Sequence, residues 1–411
     1  MTKYAFRKTA MAILAASSMF GARAASAEDV AGGVLRIGIM ADQSGPYADN
    51  GGPGSAEAAR MAIEDAGGQV LGRKIELLVA DDQNKPDVGV AIARKWLDQD
   101  GVEAIIGGSA SSIALGVQKL MADRKKPYML AGTASSALTN EACSPFGTQW
   151  VLDTYSLPKA TAKSLVAAGK DTWFFLTVDY TFGKQWQADT TKFVEAAGGK
   201  VIGSALHPLN APDFASYLLM AQSSGAKVIA LANSGADFAN AIKQAQEFGV
   251  GEQGKQTIAP LGVLINQIDG IGLASAKGLE IVTPFYWDMN DETRAFSARF
   301  KKRFHDRVPN EAMAGTYSAV THYLKAVAAV GASDGEKVNA KMHETPVNDF
   351  EMKNVPIRAD GQVMRPMYTA TIKSPDQSKY VSDDYVITGS VQAEQVWRPA
   401  SESKCALLQA Q

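Results

Sequence analysis

Residues able to do chemistry cluster in short hydroxyl- and glycine-rich segments. Gly107-Gly-Ser-Ala-Ser-Ser112 and Ala131-Gly-Thr-Ala-Ser-Ser136 set open backbone N–H groups beside Ser and Thr hydroxyls. Such segments can hold an anion or a carbonyl oxygen, more so where a helix begins and its dipole adds positive potential. Ordinary helix N-capping uses the same residue types, so one segment alone would argue little. A second group carries aromatics and acids: Asp179-Tyr-Thr-Phe-Gly183, Asn233-Ser-Gly-Ala-Asp237 and Pro284-Phe-Tyr-Trp-Asp288. With Tyr47 they suit an apolar pocket holding a few polar anchors, although Phe285, Tyr286 and Trp287 could equally serve packing. Other chemistries lack their residues. His207, His305, His322 and His343 form no H-E-x-x-H, and no C-x-x-C occurs, so neither a zinc site nor any other cofactor is expected. There is no G-x-S-x-G and no G-x-x-x-x-G-K-[ST]. Gly270-Ile-Gly272 follows a loop rather than a strand, so it is no dinucleotide fingerprint. An enzyme would have to use Asp179 or Asp288 as acid or base.

The elements that position these segments alternate. Strand-length apolar runs fall at 34–40, 75–80, 102–107 and 128–131, separated by helical patterns at 54–66, 87–99 and 111–122. The plan restarts after 150. Strands are expected at 172–178, 201–206, 228–232 and 257–262, with helices at 182–197, 214–223 and 236–248. A strand-like run at 279–283, helices at 292–308 and 312–330, and late strands at 368–373 and 385–387 follow. Alternating strands and helices predict parallel sheets covered on both faces, here in two successive blocks. In such sheets ligands bind outside the carboxyl ends of the strands, where the hydroxyl-rich segments lie.

Composition is that of an ordinary globular protein. At 411 residues and net charge −2, the chain is long enough for two or three domains and offers no basic surface for nucleic acid. Lys3, Arg7 and Lys8 precede an apolar stretch at 9–22, and Ala25-Ser-Ala27 offers a small-residue exit. This reads as a secretory signal peptide over 1–27, cleaved after Ala27, too short to span a bilayer and leaving no stable membrane insertion. Cys143 and Cys405 are the only cysteines. Export to an oxidising compartment favours one disulfide that ties the tail, 401–411, to the first half, over two buried thiols.

Several motifs together resemble the leucine/isoleucine/valine-type periplasmic binding proteins of ABC importers. They are Asp42-Gln-Ser-Gly-Pro-Tyr47, Asp65-Ala-Gly-Gly68, Leu71-Gly-Arg-Lys-Ile-Glu76, Asp81-Asp82, Gly101-Val-Glu-Ala-Ile-Ile-Gly107, Leu138-Thr139, Asp179-Tyr-Thr-Phe-Gly183, Gly198-Gly199 and Ala314-Gly-Thr-Tyr-Ser318. The resemblance implies a type I α/β fold: two doubly wound parallel-sheet lobes joined by a three-crossing hinge, with a solute captured between them. The N-terminal lobe would take 34–152 and 284–350, and the C-terminal lobe 153–283 and 351–400. By the same resemblance Ser109, Ser111, Ser112, Gly132, Thr133, Ala134 and Ser135 fall on first-lobe binding loops. Phe182, beside Tyr180, falls where an aromatic meets the ligand, and Ser234-Gly235 on a second-lobe loop. Tyr47, Tyr286 and Asp288 complete the expected site.

One departure bears on the solute. Amino-acid binders of this family place an acid after the strand matching 257–262, to pair the ligand ammonium; here the segment reads Val263-Leu-Ile-Asn-Gln267. Ala134 stands where the family has a first-lobe threonine, with Thr133 and Ser135 beside it. Burying an ammonium without a carboxylate is unfavourable by several kcal/mol. A carboxylate, an amide or an aromatic acid is therefore expected over a free branched-chain amino acid, with Asp288 the one acid that could restore a partner. The expected protein is a monomer that hands its solute to a membrane permease; the alternatives are a sensor with a different partner or a secreted hydrolase.

Overall fold

The computed structural model describes residues 1–2, 33–251 and 256–409, so the expected signal segment lies, but for its first two residues, outside the described residues. The first sheet runs β2 (Gln69–Val70), β3 (Arg73–Asp81), β1 (Val34–Ala41), β4 (Val102–Gly107), β5 (Tyr128–Leu130), β6 (Gly147–Gln149) in spatial order. Only the β2–β3 pair is antiparallel. The second sheet runs β10 (Thr257–Pro260), β9 (Val228–Ala232), β7 (Thr172–Val178), β8 (Lys200–His207), all parallel. A third, antiparallel sheet joins β11 (Glu280–Thr283), β12 (Met367–Ile372) and β13 (Tyr385–Val391).

The strand sequences explain why both parallel sheets are covered on two faces. In β1, Leu35, Ile37 and Ile39 enter one core with the helices Pro53–Asp65 and Glu311–Val330, whereas Met40 joins Ile105, Ile113 and Val117 on the other face. In β7, Phe174 and Leu176 pack with Phe214 and Phe238, while Trp173, Phe175 and Val178 pack with Trp186 and Val194. Successive side chains on a strand point to opposite faces, so a strand buried on both faces must be apolar throughout.

Three features depart from the sequence expectation. The helix expected to reach 308 ends at Arg303. His305 and Asp306 take positive φ, and Pro309 disfavours helical backbone at the residue before it. The short β6 and the helices Ser156–Ala167 and Gly335–Glu344 were not anticipated. The boundary expected at 350 also moves. Met352, Val355, Ile357 and Val363 pack in the first-lobe core, and Gln362 bridges Gln149 at the edge of β6. The chain therefore returns to the second lobe between Val363 and Met367.

Cys143 and Cys405 form a disulfide with their Cα atoms 5.7 Å apart. Two hydrogen bonds fix the tail it anchors. Lys404 donates its N–H to Asn140 at 2.6 Å, and the Tyr155 hydroxyl donates to Glu402 at 2.9 Å. Among the described residues, no helix is long and apolar enough to cross a membrane.

Candidate functional site

Strand order decides where the site lies. The chain runs from β1 out to β3 and then back to β4 on the other flank of β1, so the topological switch lies between β1 and β4. In the second sheet, β8 and β9 flank β7 in the same way, and the switch lies between β7 and β9. At such points neighbouring loops diverge and leave a crevice beyond the carboxyl ends of the strands. Here the two crevices face each other. Between them lies a cavity of about 90 Å³.

Asp42 and Asp82 build the first-lobe wall. Asp42 accepts N–H bonds from Gly45 at 2.6 Å and Tyr47 at 2.8 Å, which curls the Asp42–Tyr47 segment and sets the Tyr47 ring at the cleft. Asp82 accepts from the Ser109 N–H and hydroxyl, both at 3.0 Å, and burial pushes its carboxyl above the usual carboxylate range. Ser109 thereby spends its hydroxyl proton on the protein, although the residue borders the cavity. The helix Ser111–Asp123 starts there with Ala110 at its N-cap and no side chain capping it. The first N–H groups of any helix lack intrahelical acceptors, and an alanine at the N-cap offers none. This helix start therefore presents N–H donors and positive dipole to the cavity. Ser111 and Thr133, 1% and 4% exposed, line the same wall, and their hydroxyls have no hydrogen-bond partner in the protein.

The opposite wall is aromatic. Tyr180, Phe182 and Trp186 line it, with ring centroids 5.9 Å apart for the first pair and 4.8 Å for the second. Gly262 lies against the last of these: a Cβ there would sit 2.9 Å from Trp186 Cζ2 and 2.5 Å from Leu157 Cδ1, so glycine is what lets the rings close the wall. Ile39, Ile106, Val151, Leu152, Leu157 and Leu264 complete the apolar lining. Among the described residues, no Asp, Glu, Lys, Arg or His side chain lines the cavity.

Contacts between the lobes cross the cleft. The Tyr47 and Tyr180 hydroxyls are 2.8 Å apart across the cleft, and burial pushes both phenols well above their usual range. Asn50 donates to the Ser234 hydroxyl oxygen at 3.3 Å, and Gln267 donates to the same oxygen at 2.7 Å. Asn266 donates to Asn50 at 3.2 Å and accepts from Asn310 at 2.9 Å. Gly235, at φ +63°, lies so close to the first lobe that a Cβ would stand 2.5 Å from the Pro46 carbonyl oxygen. These contacts define a closed arrangement of the two lobes.

A profile described as periplasmic binding protein matches residues 34–379. The chain belongs to the periplasmic binding protein family. A crystal structure of a periplasmic binding protein from Burkholderia mallei is 40% identical, superposes with a TM-score of 0.88, and covers 91% of this chain and 99% of that one. A branched-chain amino acid ABC transporter periplasmic ligand-binding protein from Burkholderia xenovorans LB400 is 36% identical, with a TM-score of 0.80, covering 91% and 100%. The Leu/Ile/Val-binding protein homolog 1 of Brucella abortus is 24% identical over 320 residues, 75% of this chain and 82% of that protein. The family and its fold are those of solute-binding proteins rather than enzymes.

In this periplasmic binding protein, Tyr47, Ser109, Ser111, Gly132, Thr133, Ala134, Tyr180, Phe182 and Ser234 all border the cavity. The other expected site residues do not. Ser112 and Ser135 are not among the lining residues, although Ser135 is buried. Gly235 forms part of the inter-lobe contact instead of the cavity wall. Tyr286 stacks on Tyr385 with centroids 4.9 Å apart, inside the second-lobe core. Asp288 pairs with Arg294 at 3.0 Å and with the Tyr380 hydroxyl, so it restores no acid to the cavity. Asp179 pairs with Lys184 at 2.8 Å, away from the lining. Sequence reasoning missed Asn50, Ser55, Leu157, Trp186 and Thr316. Of these, Trp186 lies one helical turn beyond Phe182 on the same face, a placement that core packing explains equally well.

Proposed function

We propose that this protein is the solute receptor of an ABC importer, exported by its N-terminal segment with cleavage after Ala27. As a monomer in the periplasm it captures a small organic solute and delivers it, chemically unchanged, to a membrane permease. The solute is a carboxylate, an aromatic acid or an amide, and not a free branched-chain amino acid. The observation that carries this reading is the lining without charged side chains, in which an uncapped helix start and two unpaired hydroxyls share the first-lobe wall. An uncapped helix start and two free hydroxyls can stabilise a carboxylate. A zwitterion would bury its ammonium with no carboxylate to pair it, at several kcal/mol. Rhodopseudomonas palustris solute-binding proteins of this fold, 18–21% identical, are described in complex with benzoate, 3,4-dihydroxybenzoic acid and 4-hydroxybenzoate. Relatives named for Leu/Ile/Val binding favour an amino acid instead. A thermal-shift panel separates the two. Carboxylates are expected to raise Tm by mass action, with leucine, isoleucine and valine at the same concentration giving no shift. A response to leucine alone would reverse the assignment.

A further inference from the structure

The indole N–H of Trp186 is unused by the fold. Trp186 is 2% exposed, lines the cavity, and its Nε1 has no hydrogen-bond partner in the protein. A buried tryptophan N–H almost always finds an acceptor, because leaving it unpaired forfeits the hydration it had in the unfolded chain. Indole is a donor only, so whatever satisfies it must be an acceptor. Shape alone does not explain the residue. Phe182, one turn earlier on the same helix, fills the same wall with a plain ring, whereas position 186 adds a donor. The other two unpartnered lining groups, Ser111 Oγ and Thr133 Oγ1, sit on the opposite lobe beside the helix start. The donors are thus divided: one set at the first-lobe wall and a single N–H on the second-lobe wall, with apolar side chains between.

We propose that Trp186 is a specificity-determining residue that reads a second oxygen on the solute. The substrate class is then a small carboxylate with a carbonyl or hydroxyl oxygen at its far end, gripped by its carboxylate on one lobe and by that oxygen on the other. This rests on the carboxylate reading above and narrows it. Two-ended recognition also links selectivity to closure, because only a solute with both groups contacts both lobes through hydrogen bonds. Discrimination against a ligand lacking the second group is expected to be large, since the N–H would then stay buried and unpaired.

Titration calorimetry on matched pairs tests it: 4-oxopentanoate against pentanoate, and 4-hydroxybenzoate against benzoate. In the unaltered protein, the oxygen-bearing member of at least one pair is expected to bind 10-fold or more tightly than its partner. Trp186→Phe keeps a ring and removes the donor; it should bring that pair to within about twofold, chiefly by weakening the oxygen-bearing member. Equal binding within both pairs by the unaltered protein would overturn the proposal without any variant and leave the carboxylate reading standing. So would discrimination that survives Trp186→Phe and vanishes in Ser234→Ala, whose hydroxyl accepts from Asn50 and Gln267 and keeps its own proton to donate. If none of the four acids binds, the carboxylate reading falls and the proposal falls with it.

Discussion

The Tyr47–Tyr180 pair shows how single side chains set the state of the cleft. Burial holds both phenols protonated, so the bond between them does not titrate near neutral pH. Tyr47→Phe removes it and leaves the Tyr180 hydroxyl buried without its partner. Loss of about 1 kcal/mol from the closed form is expected, read as roughly fivefold weaker solute binding in a fluorescence titration, with the fold intact by circular dichroism. Glu311 governs a different property. Its buried carboxyl accepts the Thr283 hydroxyl at 2.7 Å, and desolvation pushes it up to about 7. A carboxyl whose folded value is raised binds its proton more tightly in the native state, so stability falls as pH rises from about 4.5 to about 7. Asp153, pushed up to about 6 by burial, adds the same sign. Glu311→Gln should therefore leave Tm almost unchanged at pH 4.5 and stabilise the protein by about 1–3 kcal/mol at pH 8. Melting curves at the two pH values check this; equal shifts at both would refute it. At this scale the sequence was only partly legible. Phe182 and Ser111 could be read because they stand at strand-to-helix loops. Trp186 could not be distinguished from packing, because an aromatic within a helix serves a core far more often than a cavity.

Elements explain the misplaced residues. The rule that ligands lie beyond strand carboxyl ends holds for parallel sheets, and it found the loops after β4, β5, β7 and β9. Applied to β11 it failed. That strand belongs to the antiparallel sheet, whose ends face no switch point, so Tyr286 and Asp288 turn into the second-lobe core and surface. Strand pairing is not visible in a local apolar run, which is why 279–283 read like the others. The helix Ser111–Asp123 was legible in extent and as a helix start able to hold an anion, whereas its alanine N-cap, which leaves the first N–H groups uncapped, emerges only with the backbone geometry. The helix Ala236–Glu247 begins at Gly235, which takes a positive φ against the first lobe. Gly235→Ala would drive a Cβ onto the Pro46 carbonyl and strain the backbone by about 1–3 kcal/mol. It should weaken solute binding at least 10-fold while lowering Tm of the solute-free protein only slightly. Unchanged affinity would show that closure does not require this contact.

For the molecule as a whole, three crossings join the lobes and a disulfide ties the C-terminal tail to the first lobe. The Cys143–Cys405 bridge spans 262 residues. Cross-links over long loops restrict the unfolded chain most, so the double variant Cys143→Ser/Cys405→Ser should lose about 2–4 kcal/mol of stability in denaturant unfolding. Solute affinity should stay within about twofold, because the bridge lies away from the cavity lining. The two-lobe plan and its alternating order were legible from periodicity, whereas the return crossing near 363 was not, since residues 347–363 enter the first-lobe core through isolated bridges that have no strand-length pattern. The central claim is that the closed cleft holds a solute by its acceptor groups, with no charged side chain touching it. A crystal structure with the carboxylate that stabilises the protein most tests this directly. Carboxylate oxygens are expected about 3 Å from Ser111 Oγ, Thr133 Oγ1 or the N–H groups that open the Ser111 helix. A solute bound outside the cleft, or one whose ammonium pairs with an acidic side chain, would contradict it.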